Sequence, residues 1–143
     1  DAAIGADVMV GFPGETDEEF EQSRAFIDSL PFTYLHVFTY SERPGTEAVG
    51  SGAVSVPMPV RKQRNRVLRE LAAAKNAAFR QSMVGRTLSA VTLDNSGIAL
   101  SENYLRVQLA SPRPANRIVD VTIGGAGDSQ GMLLEAAAFP ILA

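Results

Sequence analysis

Two rhythms of apolar and polar residues run along this chain, and the change from one to the other divides it. Near the start, Val8, Met9 and Val10 form a short apolar run that follows Asp7 and stops at Gly11, Phe12, Pro13 and Gly14. A run of this length closed by glycine and proline predicts a buried strand feeding a turn. Thr16 and Glu19 then have capping-box spacing: the Thr16 hydroxyl accepts the Glu19 N–H while the Glu19 carboxylate reaches back to the Thr16 N–H. Asp17, Glu18 and Glu19 also face the positive end of the helix dipole. Phe20, Phe26, Ile27 and Leu30 give this helix an apolar side, and Pro31 marks its end. Residues 32–40 are β-branched and aromatic almost throughout, which predicts a second strand. Strand, turn, helix and strand make a βαβ unit, so the two strands are expected to be parallel and buried on both faces. Two strands do not close a barrel. Further strands are expected upstream, or a second chain must cover the open edge.

Residues 41–60 read as a loop: Pro44 and Gly45 give turn chemistry, Gly50 and Gly52 flexibility, and Pro57 and Pro59 a stiff end. From about residue 60 to 83 the period becomes helical, with Leu68, Ala72, Phe79 and Met83 on one side and Lys62, Arg66, Arg69 and Arg80 on another. Gly85 is placed to stop this helix. Beyond it the rhythm turns strand-like in five short runs, at 88–93, 98–100, 104–109, 118–123 and 132–135. They are separated by turn-forming residues at 94–97, 111–114 and 124–127. Short strands at that spacing predict a small all-β barrel of OB type. The expected organisation is α/β plus all-β, in three parts: 1–48, 49–84 and 85–143.

Charge sharpens this division. The net −3 of the whole comprises ten acids against two bases over residues 1–60, one against seven over 61–85, and five against four over 86–143. No apolar run approaches the ~20 residues that span a bilayer, so no membrane partner is expected. Cysteine is absent. That removes disulfides, thiolate catalysis and cysteine-held metal from these residues, and it fits a reducing cytoplasm. The first residue is Asp1, not Met, and the chain is read as a fragment.

Several residues carry candidate chemistry. The turn at 11–14 could approach a ligand closely, although Glu15, Asp17, Glu18 and Glu19 would repel a phosphate. Asp7 needs a partner if its strand is buried, either sugar hydroxyls or backbone amides. His36 is the sole histidine. Without a second imidazole or a thiolate it builds no usual metal site, and a core or strand-surface place is favoured. Arg43 follows the second strand and either serves a site there or stabilises its turn. The cations Lys62, Arg66, Arg69 and Arg80 could lie along phosphates, or simply solvate a connecting helix. Asn103, Tyr104 and Arg106 offer the stacking and polar contacts by which OB-like barrels hold RNA.

The string DVMVGFPGETDEEF (residues 7–20) resembles the fifth strand and following turn of the radical-SAM tRNA methylthiotransferases, and YLHVFTYSERPGT (34–46) resembles their sixth strand and loop. LPFTYLHVF (30–38) is most similar to the branch acting on threonylcarbamoyladenosine. RELAAAKNAAF (69–79) and GRTL (85–88) are similar to the connector into that family's TRAM domain, and SENYLRV (101–107) with NRI (116–118) to its strands. The resemblance implies a C-terminal piece: the end of a partial TIM barrel, a connecting helix and a TRAM barrel.

In that family a CxxxCxxC triad holds a [4Fe–4S] cluster that cleaves S-adenosylmethionine to a 5′-deoxyadenosyl radical, and a second cluster supplies sulfur. The resemblance therefore implies S-adenosylmethionine and two [4Fe–4S] clusters in the full-length enzyme, with neither cluster bound by this cysteine-free fragment. It makes Asp7 the partner of the ribose hydroxyls and Met9 a contact of the adenine. Tyr40 and Ser41 would close the adenine end, with Arg43 above. The tRNA anticodon stem-loop is the implied partner, held by the basic helix and the TRAM module, and self-association through the open barrel edge is expected of the fragment alone. Two rivals stand beside this reading: modification of a ribosomal-protein aspartate, and a non-enzymatic RNA-binding or assembly module.

Overall fold

Strand β1 (Gly5–Val10) runs parallel to β2 (Tyr34–Thr39), in a register that pairs Asp7 with His36 and Met9 with Phe38. Helix α1 (Asp17–Ser29) joins them, α2 (Glu47–Gly50) interrupts the next loop, and α3 (Met58–Ser82) follows. In this computed structural model the described residues are 2–94, 97–127 and 131–137. They divide into two units: Ala3–Asn76, and Ala77 onward together with the first residues of the chain. Helix α3 thus contributes to both.

In the first unit the apolar side of the sheet lies under helices. Val10, Ile27 and Leu68 are buried together, with Val8, Phe20, Phe32, Leu35, Val37 and Leu71 packed around them. These residues come from both strands, α1 and α3, and their burial supplies the main attraction between the elements. The opposite face was expected to be buried as well. It is not: Met9 is 54% exposed and Phe38 51%. Both helices pack on one side, and among the described residues the unit has no second layer. Helix α3 also bonds to β2, the residue before it and the end of α1. Asn65 Nδ2 donates to Val37 O at 3.2 Å, Asn76 Nδ2 to Thr33 O at 3.1 Å, and Lys75 Nζ to Asp28 O and Leu30 O.

The capping box of α1 forms as its sequence predicts. Glu19 N donates to Thr16 Oγ1 at 3.1 Å and Thr16 N to Glu19 Oε2 at 2.9 Å. These bonds favour the charged carboxylate, so Glu19 titrates below the usual glutamate range, first through the Thr16 amide and then through its hydroxyl.

The second unit is a closed barrel of β3 (Thr87–Thr92), β4 (Ile98–Ser101), β5 (Arg106–Gln108), β6 (Ile118–Ala126) and β7 (Leu133–Glu135), ordered β3-β4-β5-β7-β6. Its core holds Leu88, Ala90, Ala99, Leu105, Val107, Leu109, Val121, Ile123 and Leu133, with Met83 buried among them and Phe79 packed against it. The last turns of α3 therefore supply apolar groups to this core. β5 and β7 pair in parallel. Beside that closure Glu135 accepts the Ala110 N–H at 2.9 Å and pairs with Arg113.

Of the turn expected at 124–127, residues 124–126 are instead strand. β6 continues through them with a register shift between Ile123 and Gly125, and a bulge bends a strand without ending it. The glycines serve close packing there: a Cβ on Gly124 would lie 2.8 Å from Ala136 Cα. The expected turn at 94–97 includes residues 95 and 96, which lie outside the described residues, as do the last residues of the expected third part.

Candidate functional site

The uncovered face of the β1–β2 pair brings Asp7, Met9, His36 and Phe38 together. Alternation along each strand puts Asp7 and Met9 on the same side, and the parallel register sets His36 and Phe38 beside them. Tyr34 meets His36 edge-on, with centroids 5.5 Å apart and planes at 78°. Asp7 is exposed, not buried, so its carboxylate needs no internal partner. His36 is likewise on the strand surface.

At the C-terminal ends of these strands the turns are fastened from behind by two buried arginines of α3. Arg61 donates from Nε to Val56 O at 2.6 Å, from Nη1 to Tyr40 O at 3.1 Å and from Nη2 to Ser55 Oγ at 2.6 Å. Its guanidinium lies 5.3 Å from the Tyr40 ring centroid, within cation–π range. Its stem fills the space beside Gly11, where a Cβ would meet Arg61 Cγ at 2.4 Å. Gly11 has φ +75°, which glycine adopts without steric cost.

Arg64, one turn further on, donates to Glu15 Oε2 at 2.6 Å and Asp17 Oδ1 at 2.7 Å. Burial opposes its charge, but the hydrogen bonds to Asp17 and Glu15 outweigh that and hold its pKa above the usual arginine value. The same Glu15 oxygen accepts the Gly11 N–H at 2.6 Å. Glu15 therefore belongs to the turn's own scaffold.

Of the residues expected around a cosubstrate, Asp7, Met9, Ser41 and Arg43 are exposed. Tyr40 is buried; its N–H donates to Val10 O at 2.9 Å and its ring packs edge-on against Phe12 at 5.3 Å. The Arg43 carbonyl accepts both the N–H and the hydroxyl of Thr46, so its backbone shapes the turn while its side chain extends outward. Neither Arg61 nor Arg64 was anticipated as a site residue. A signal was present: with Leu68 and Leu71 they continue one helical stripe at i, i+3, i+7 and i+10, the buried side of α3.

The expected basic face is only partly on the surface. Lys62, Arg66 and Arg69 are exposed, with Arg66 Nε 3.9 Å from Glu70 Oε1. Arg80 is half-buried and leans on Gly131, whose added Cβ would come 2.4 Å from Arg80 Nη1. It belongs to the barrel's packing, not to the exposed stripe.

On the barrel, Tyr104 is 78% exposed at φ +61°. A tight turn holds it there: Tyr104 N donates to Ser101 O, and Leu105 N to Ser101 Oγ. Asn103 is buried within that turn, 2.6 Å from Ser101 Oγ through Oδ1, with Nδ2 donating to Met83 Sδ. Expected to touch RNA, it instead shapes the loop that presents its neighbour. Arg106, Leu100, Val91 and Ile118 are successive register partners across β5, β4, β3 and β6. With Tyr104, the apolar members line a groove of about 260 Å³.

No family model matches the chain. It is 34% identical over 122 residues to the threonylcarbamoyladenosine tRNA methylthiotransferase MtaB of Aquifex aeolicus, covering 85% of this chain and 29% of that protein. The protein of that description from Treponema pallidum is 38% identical over 106 residues, 74% of this chain and 22% of its own length. A tRNA-2-methylthio-N(6)-dimethylallyladenosine synthase from Kineococcus radiotolerans is 36% identical over 119 residues, 83% of this chain and 22% of that protein. The chain thus spans between 22% and 29% of these relatives.

Proposed function

Because the chain belongs to the tRNA methylthiotransferase family, we propose that it is part of a radical-SAM enzyme that methylthiolates adenosine 37 of tRNA. The substrate is N6-threonylcarbamoyladenosine and the position C2. In this reading β1 and β2 are the last staves of a partial TIM barrel and their open face lines its lumen. The closed barrel is a TRAM module, and the three parts are residues 1–48, 49–84 and 85–143. The open face carries the reading: a solvated carboxylate and a thioether stand side by side on strands whose other face packs against α1 and α3.

Those residues fit S-adenosylmethionine. Asp7 offers two acceptor oxygens for the ribose hydroxyls, and Met9 a polarisable apolar surface for the purine. The Tyr40 carbonyl and N–H are already engaged within the chain, so Ser41 is the better placed to meet the adenine edge, with Arg43 beyond it. When bound, S-adenosylmethionine supplies the methyl group and the one-electron chemistry. The two [4Fe–4S] clusters do not fit these residues, which include no cysteine, and their ligands belong to other parts of the enzyme.

The anticodon stem-loop is the RNA partner. Lys62, Arg66 and Arg69 would neutralise phosphates along α3, and Tyr104 with Arg106 would stack and anchor an unpaired nucleotide. Among the described residues no helix is long and apolar enough to cross a membrane, and the protein would work in the cytoplasm, alongside its tRNA.

The test is nucleoside mass analysis of tRNA from cells with and without the gene. Loss of 2-methylthio-N6-threonylcarbamoyladenosine alone supports the assignment; unchanged 2-methylthio nucleosides would reject it. A second reading, action on dimethylallyladenosine, is favoured by the relatives described as synthases of that product, at 36% and 43% identity. It predicts loss of 2-methylthio-N6-dimethylallyladenosine instead, with the unthiolated dimethylallyladenosine remaining.

A further inference from the structure

The geometry points to Arg61 as a positioning residue for the nucleoside cosubstrate, holding the loops that follow β1 and β2 at the separation the site needs. This inference rests on the reading of the open face given above.

Three features set Arg61 apart from an ordinary buried side chain. Its bonds reach both ends of one long loop: Tyr40 ends β2, whereas Ser55 and Val56 lie just before α3. One guanidinium thus closes the loop between 40 and 56. Its stem also packs directly against Gly11, the first residue after β1. In the same region Gly14 N donates to Val54 O at 2.8 Å, so the turn after β1 is tied to the loop that Arg61 closes. A displacement of Arg61 is therefore felt at once by Gly11, Tyr40 and Ser55.

The second feature is its charge. Arg64 has two carboxylates within 2.7 Å. Arg61 has Glu42 at 3.6 Å, and that side chain is 61% exposed. Desolvating a cation without a close, buried counter-charge is costly, and an apolar residue of similar size would stabilise a fold more cheaply. What an apolar residue cannot do is hold three acceptors at fixed angles, which the planar fork does.

The third feature is place. In α/β barrels the loops at the C-terminal ends of the strands carry the site. Arg61 touches the two such loops present here from beneath. Its closest contacts are two backbone carbonyls, the Ser55 hydroxyl, the Tyr40 ring and a glycine, which fix the course of the chain and leave the outward side chains of Ser41 and Arg43 free for a ligand.

The experiment uses the full-length enzyme and four forms: unaltered, Arg61→Met, Arg61→Lys and Asp7→Ala. S-adenosylmethionine and tRNA affinities are measured separately by equilibrium binding, and amide exchange is followed over residues 11–15 and 40–56. Arg61→Met keeps the stem and removes the fork. It is expected to weaken S-adenosylmethionine binding on the order of tenfold, to leave tRNA affinity within about twofold, and to speed exchange in both loops. Exchange in the barrel, residues 87–135, should not change. Arg61→Lys, with one donor group in place of a fork, should fall between Arg61→Met and the unaltered enzyme and so controls for loss of folding.

Loss of S-adenosylmethionine affinity in Asp7→Ala but not in Arg61→Met overturns the role of Arg61 alone. No loss in either variant overturns the cosubstrate reading, and the role of Arg61 with it. Equal loss of both ligands in Arg61→Met, with exchange raised throughout the protein, overturns the positioning role in favour of general stability.

Discussion

Burying a guanidinium is tolerable when every face of it has work. Arg61 donates from all three nitrogens, and removing it would strand two carbonyls at a cost of about 1–3 kcal/mol for each buried acceptor left unpaired. Its neighbour Gly11 is constrained twice over, by φ +75° and by the Arg61 stem. Gly11→Ala is accordingly expected to destabilise the first unit by roughly 1–3 kcal/mol, measured as a lowered denaturation midpoint. An unchanged midpoint would mean that the turn and the Arg61 stem relax freely. At this scale the sequence was informative about Asp7 and Met9, whose alternation alone sets them side by side. It was misleading about arginine. Arg61 and Arg64 were not singled out, because the stripe they share with Leu68 and Leu71 runs against their polarity. Asn103 was misjudged as well, because it is buried and its Nδ2 donates to Met83 Sδ, a partner twenty residues away that only the fold brings to it.

Helix α3 divides its cations between two tasks. Arg61, Arg64 and Lys75 reach backbone or carboxylates of the first unit, while Lys62, Arg66 and Arg69 remain exposed. Under the proposed function only the second group should meet tRNA. Arg66→Glu with Arg69→Glu is expected to weaken tRNA binding and to reduce the salt slope by about one unit for each phosphate no longer neutralised, read from affinity against ionic strength. An unchanged slope would leave the helix purely structural. The legible elements were those with local causes. The Thr16–Glu19 box needs three residues' spacing and no tertiary context, and both of its bonds form. The course of β6 through residues 124–126 was not legible, because three glycines in four residues read as a turn unless the closely packed β7 is known.

Among the described residues the open sheet face with Met9 and Phe38 differs in character from the groove beside Tyr104. The barrel was readable from five short runs and their spacing. The uncovered face was foreshadowed by the strand count, since two strands do not close a barrel, although each strand's own pattern reads as buried on both faces. An exposed apolar face of this kind should associate. Light scattering of this chain is expected to give a mass above the monomer that falls when Met9 and Phe38 are both changed to Ser. A concentration-independent monomer would show that the face is content with water.

Gly124 holds one more consequence. Any side chain there would strike the backbone of Ala136, so no repacking of neighbouring side chains relieves the overlap. Across descendants of this gene the position should resist drift for that packing reason alone. An invariant glycine at that point would record the packing of two chain segments and would not by itself mark a recognition site.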